Sequence, residues 1–110
     1  GLVENAGRVG AYFKNALQSA IGDHPNVGEI RGEGLLMAIE FVEDKTARRF
    51  FEPAGQVGGR IAAALLEQGI IGRAMPQGDI LGLAPPLCLT TEEADIITAA
   101  TARAVKAVLA

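Results

Sequence analysis

The chain has 110 residues, 49% hydrophobic and 21% charged, which suits one compact domain with a modest core and excludes a disordered tail. A formal net charge of -3 leaves no basic surface for nucleic acid, and one cysteine (Cys88) with one histidine (His24) excludes an internal disulfide and a Cys/His zinc site. No apolar run is long enough to span a bilayer, and Gly1-Leu2-Val3-Glu4-Asn5 lacks the basic and apolar regions of a signal peptide.

The lone cysteine fits a reducing, cytoplasmic setting. The start has no initiator methionine and reads as the middle of a longer chain, with an expression scar or a processed terminus as the alternative. Glu4 to Ser19 has helical spacing: Ala6, Val9, Phe13, Leu17 and Ala20 share one face. Gly22 and Pro25 stop this helix. Gly1, Gly7 and Gly10 are costly in an isolated helix, and close packing is one reason to tolerate them. Val27 to Val42 reads as two strands, with clean alternation from Leu35 to Phe41 and a bend or bulge at Arg31-Gly32-Glu33-Gly34. Glu43 to Arg49 is a charged stretch with room for one helical turn.

Pro53 suits the first turn of a second helix, whose apolar stripe is Val57, Ile61, Ala64 and Leu65 and whose end is Gly69. Ile70-Ile71 reads as the start of a strand and Ile80 to Leu83 as another, with Pro76-Gln77-Gly78-Asp79 as the turn. Ala84-Pro85-Pro86-Leu87 must leave any sheet. Thr90-Thr91-Glu92-Glu93 is a capping box that opens a last helix, running to about Val108 with Ile97, Thr101, Ala104 and Val108 inside. The order α-β-β-α-β-β-α predicts an α/β (α+β) fold: a small, largely antiparallel sheet with helices packed on one face.

No catalytic constellation is complete. There is no Ser/His/Asp set in a G-x-S-x-G context. His24, before Pro25, reads as a solvated turn residue, and no metal site is expected. Arg31-Gly32-Glu33-Gly34 lacks the spacing of a phosphate loop and precedes a strand, so a bend between strands is preferred to an anion cradle. Glu40, Glu43 and Asp44 fit an exposed edge or loop. Lys14, Lys45 and Lys106 lie in polar contexts without the desolvation a Schiff-base lysine needs. Arg73 differs: an apolar pair and Gly72 deliver it at a strand end, where a guanidinium fork can clamp a carboxylate, although a surface arginine remains the alternative.

Several motifs together resemble class III aminotransferases. Val27-Gly28-Glu29-Ile30-Arg31-Gly32-Glu33-Gly34-Leu35 through Glu40 is similar to their V-x-x-V-R-G-x-G-L-x-x-x-I-E stretch. Glu67-Gln68-Gly69-Ile70-Ile71 resembles their helix-glycine-strand step, and Gly78-Asp79-Ile80-Leu81, Ala84-Pro85-Pro86-Leu87 and Thr90-x-x-Glu93 resemble their closing G-D, A-P-P-L and T-x-x-E motifs. The resemblance covers about Asp23 to Leu109, and the preceding helix matches in type.

The resemblance implies the C-terminal small domain (residues 1–110) of a pyridoxal 5'-phosphate (PLP) enzyme that moves an amino group from an amine or amino acid to a keto acid. Its cofactor lysine and most phosphate contacts would belong to a large domain preceding Gly1, so the isolated chain is expected to be inactive and to hold no catalytic or cofactor-binding residue. A homodimer is implied for the full-length enzyme. In the pyruvate-using ω-transaminase branch an arginine a few residues before A-P-P-L binds substrate carboxylate, and Arg73 matches it. In ornithine- and GABA-type relatives the arginine falls at the position of Gly82. The resemblance therefore points to a pyruvate-dependent amine transaminase with Arg73 as substrate-binding residue, Arg31 as a structural residue paired with an acid near the domain junction, and Pro85 and Pro86 shaping a wall near the active-site entrance. The alternative is a free-standing small-molecule-binding or regulatory module in which Arg73 grips an anionic ligand; a purely structural interaction domain is the third reading.

Overall fold

The structure, a computed structural model, describes residues 1–76 and 78–109. Helix α1 (Leu2–Ile21) leads into strands β1 (Val27–Glu33) and β2 (Leu36–Phe41). Helix α2 (Gln56–Glu67), strands β3 (Arg73–Ala74) and β4 (Ile80–Leu83) and helix α3 (Thr91–Leu109) follow. The four strands form one antiparallel sheet in the order β1-β2-β4-β3. This is the expected α/β architecture.

Side chains alternate across a strand, so burial reveals which face is covered. Val27, Ile30, Met37, Ile39, Phe41, Leu81 and Leu83 are buried. They meet Phe13 and Leu17 of α1, Ile61 and Leu65 of α2 and Ala100, Ala104 and Val105 of α3 in a single core. The other face carries Arg31, Leu36, Ala38, Glu40, Ile80 and Gly82 and, among the described residues, has no helix over it. The three helices therefore lie on one side, with α3 between α1 and α2.

The costly glycines of α1 have a partial explanation. Gly10 lies against the carbonyl of Gly34, and any Cβ there would collide with it. The helix thus rests directly on the β1–β2 hairpin. Gly34 itself sits at φ 58, the positive φ that a two-residue hairpin loop requires and that glycine adopts without a Cβ penalty. Gly7 has open space around its Cβ position, and nothing in the structure explains it.

The capping box forms as its chemistry dictates. The Glu93 N–H donates to Thr90 Oγ1 at 3.1 Å and the Thr90 N–H donates to Glu93 Oε1 at 3.0 Å. The Tyr12 hydroxyl donates to Asp95 at 2.8 Å and ties α1 to α3; the neighbouring carboxylate pushes the phenol above its ordinary range.

Six local expectations change. Ala20 is exposed and Ile21 takes its place on the inner face, because 3.6-residue spacing from Leu17 leads to position 21 as well as 20. The break between the first two strands is the Gly34-Leu35 loop, whereas Arg31, Gly32 and Glu33 pair with Ala38, Met37 and Leu36 in the ladder. The irregularity in β1 falls earlier, between Val27 and Glu29. Glu43 to Arg49 forms an antiparallel bridge between Asp44 and Arg49, closed by an Arg49–Asp44 ion pair at 3.2 Å, instead of a helical turn. Pro53 precedes α2 because Gly55, at φ 94, ends the irregular segment and delays the helix to Gln56. Ile70-Ile71 is not a strand: β3 begins at Arg73, where a partner in β4 becomes available. Of the turn Pro76-Gln77-Gly78-Asp79, Gln77 lies outside the described residues.

Candidate functional site

Directly opposed residues of antiparallel strands project to the same face. Arg31 opposes Ala38, Ala38 opposes Gly82, and Gly82 opposes Arg73. One continuous row therefore crosses the open face, with an arginine at each end and two small residues between. Three strand spacings of about 4.8 Å separate the terminal Cα atoms by roughly 14 Å. The small side chains leave a groove of about 430 Å³, bounded by Arg31, Ala38, Met75, Pro76, Ile80 and Gly82. Arg73 is exposed and directly opposite Gly82 but does not itself line this groove; a Cβ built on Gly82 would lie 3.7 Å from the Arg73 carbonyl oxygen and 3.3 Å from Met75 Sδ.

The two arginines differ electrostatically. Arg31 pairs with Glu29 at 3.4 Å, two residues back on the same face of its own strand. The expected acidic partner is thus local. Arg73 has no ion-pair or hydrogen-bond partner for its side chain among the described residues. A guanidinium left without a carboxylate, on a face with no helix above it, is free to take one from a ligand.

Position 82 explains two readings of the sequence together. An arginine there would emerge beside Arg73, one strand over on the same face. Either position can serve the same patch of the open face.

Other candidates fall away from this site. His24 Nδ1 accepts from the Asn26 N–H at 3.0 Å and completes a turn. Cys88 is exposed in the loop after Pro86. Glu43 and Asp44 contact Arg49, whereas Glu40, expected on an exposed edge or loop, is half-buried in the inner strand β2, on the open face opposite Ile80. Among the described residues no three His, Cys, Asp or Glu side chains converge on a metal site, and no helix is long and apolar enough to cross a membrane. Lys45 Nζ donates to the Gly22 carbonyl at 3.0 Å, while Lys14 and Lys106 lie along α1 and α3. None of the three lines the open-face groove.

Pro85 and Pro86 line a different groove, of about 460 Å³, shared with Ile70, Ile71, Leu89 and Ile96 on the α3 side. Ile71 is 84% exposed and Ile96 62% exposed. These prolines shape an apolar surface distinct from the groove beside Gly82.

Sequence reasoning missed Asp79 as anything beyond part of a motif. It is buried, and its carboxylate accepts a hydrogen bond from the Gly58 N–H at 2.9 Å. A signal was present: α2 has neither a capping side chain nor an acid in its first turn, so its cap had to come from elsewhere.

Residues 1–105 match the profile of a protein family, aminotransferase class-III. A diaminobutyrate–2-oxoglutarate transaminase of Halomonas elongata is 54% identical over 108 residues, 98% of this chain and 23% of that protein. A structure from work on directed evolution of transaminases by ancestral reconstruction superposes with a TM-score of 0.93 at 53% identity, covering 97% of this chain and 23% of the other. The omega transaminase of Pseudomonas jessenii in complex with PMP gives a TM-score of 0.89 at 39% identity, with the same coverage. The chain spans about a quarter of the length of these relatives.

Proposed function

The chain belongs to the class III aminotransferase family, and from that premise we propose that it is the C-terminal small domain of a PLP-dependent transaminase, with Arg73 binding the substrate carboxylate. The enzyme transfers an amino group from an amine or amino acid to a keto acid such as pyruvate. The cofactor supplies the electron sink when bound, and the residues that hold it belong to a large domain outside these 110 residues. Pairing of two full-length cytoplasmic subunits completes the proposal.

One observation carries the role of Arg73. It is an exposed arginine opposite Gly82 on the open face of the sheet, and its guanidinium has no ion-pair partner among the described residues. A bidentate carboxylate contact is the interaction such a group makes best. An amine donor without a carboxylate has no use for it.

In the full-length enzyme, Arg73→Ala is expected to raise KM for alanine and pyruvate by about 10- to 100-fold, the loss of one charge-assisted contact, and to leave KM for a simple amine within about twofold. Equal losses for both substrate classes would remove the proposed role. A second acceptor, 2-oxoglutarate, is favoured by the name of the Halomonas elongata relative. Comparison of kcat/KM for the two keto acids decides between them, and both use Arg73 for the carboxylate beside the keto group.

A further inference from the structure

We propose that Asp79 is a positioning residue for Arg73: its buried carboxylate caps α2 and thereby fixes the start of β4, the strand on which the arginine's own strand pairs. The proposal rests on the reading of Arg73 given above. It starts from a deficit. The first backbone N–H groups of a helix have no partners within it. In α2 the N-cap is Gly55, which offers no side chain, and the first turn contains no acid. Asp79, 21 positions from Gly58, supplies both the acceptor and the negative charge that a helix N-terminus favours.

The same residue is tied to the sheet. Its carbonyl accepts from the Phe41 N–H at 2.8 Å, immediately before β4 begins. Asp79 therefore joins the end of β2, the start of β4 and the N-terminus of α2 at one buried point.

Arg73 depends on this point because its own strand is so short. Strand β3 has two residues, and only β4 pairs with it. The hairpin is extended by one further bond, from the Met75 N–H to the Ile80 carbonyl at 2.9 Å. A two-residue edge strand holds its register weakly by itself. The start of β4 must therefore be anchored from outside the hairpin, and the buried Asp79–Gly58 bond does this.

The test uses the full-length holoenzyme, with alanine and pyruvate set against a simple amine. Asp79→Ala is expected to raise KM for alanine and pyruvate about tenfold, with KM for the amine changed less than about twofold. Asp79→Asn retains an oxygen that can accept from Gly58 and should restore KM to within about twofold of the parent. Added to Arg73→Ala, Asp79→Ala should raise KM for alanine no further, since it acts through the arginine.

Equal effects of Asp79→Ala on both substrate classes, or a multiplied effect in the double variant, would overturn the proposal. If Asp79→Ala fails to fold, Asp79→Glu takes its place: the longer side chain keeps the carboxylate but displaces the start of β4, so the same selective rise is expected and an equal rise is adverse. A selective Arg73→Ala with an unselective Asp79 variant removes this inference alone. An unselective Arg73→Ala removes the proposed role of Arg73 itself.

Discussion

The two hairpins of the sheet are built on opposite terms. In β1–β2, strands of seven and six residues pair along nearly their whole length, and α1 clamps the loop through the Gly10–Gly34 contact. In β3–β4, strands of two and four residues share a short ladder at the sheet edge. Each hairpin places one arginine on the same cross-sheet row. The long hairpin neutralises Arg31 with Glu29, while the short one leaves Arg73 unpaired among the described residues. The difference separates two settings of one residue type: an arginine paired within the scaffold, and an arginine on a minimal strand with no ion-pair partner among the described residues, the one proposed to take a substrate carboxylate.

The clamp on the long hairpin gives the largest expected effect on stability. Gly10→Ala puts a methyl group into the Gly34 carbonyl, so α1 must lift from the hairpin, at a cost of about 2–3 kcal/mol. Gly7→Ala is the control: its Cβ meets nothing, and removing a helical glycine should stabilise by about 0.5–1 kcal/mol. Denaturant unfolding of the two variants measures both signs. Similar behaviour of the two would show that the Gly10–Gly34 contact is not what locks the long hairpin.

The short hairpin can be tested by moving its arginine across the strand. Arg73→Ala combined with Gly82→Arg returns a guanidinium to the adjacent position of the same row. A Cβ at position 82 meets the flexible end of Met75 at 3.3 Å and the Arg73 carbonyl oxygen at 3.7 Å, so the side chain can start without displacing backbone. Compared with Arg73→Ala alone, the pair should recover about tenfold of the lost KM for alanine, roughly one charge-assisted contact. No recovery would mean that the patch needs an arginine on the edge strand itself, and that cross-strand adjacency is not enough.

Much of the scaffold was legible because it follows from periodicity and local chemistry. The alternation from Leu35 to Phe41 appears as burial of Leu35, Met37, Ile39 and Phe41, and Thr90 and Glu93 make both bonds of their box. The misreadings have two physical origins: a deciding partner distant in sequence, or a local backbone choice that side-chain character does not reveal. Ile70-Ile71 has β-branched side chains but no strand beside it, and its apolar character serves the groove facing Ile96. Pro53 is a competent helix opener, yet the backbone at Gly55 sets the start of α2. Arg73 was expected at the end of a strand begun by Ile70-Ile71, whereas it opens β3 itself. Its setting opposite Gly82, on a row shared with Arg31, needed the register of three strand pairs. Asp79 was hidden because a cap borrowed from 21 residues away leaves no local spacing to read.

Arg31 supplies the smallest effect and the sharpest contrast. It lies on the same row as Arg73, so proximity to the groove alone would assign it a similar role. Its ion pair with Glu29 is solvent-exposed, with 43% and 56% of the two side chains accessible, and such pairs contribute about 0–1 kcal/mol. Arg31→Ala should therefore cost under about 1 kcal/mol in unfolding experiments and leave KM for alanine and for an amine both within about twofold. A selective rise in KM for the carboxylate substrate would mean that Glu29 does not satisfy Arg31 when ligand is present. Both ends of the row would then grip substrate, and the division of labour between the two hairpins would give way to a single groove with two anchoring arginines.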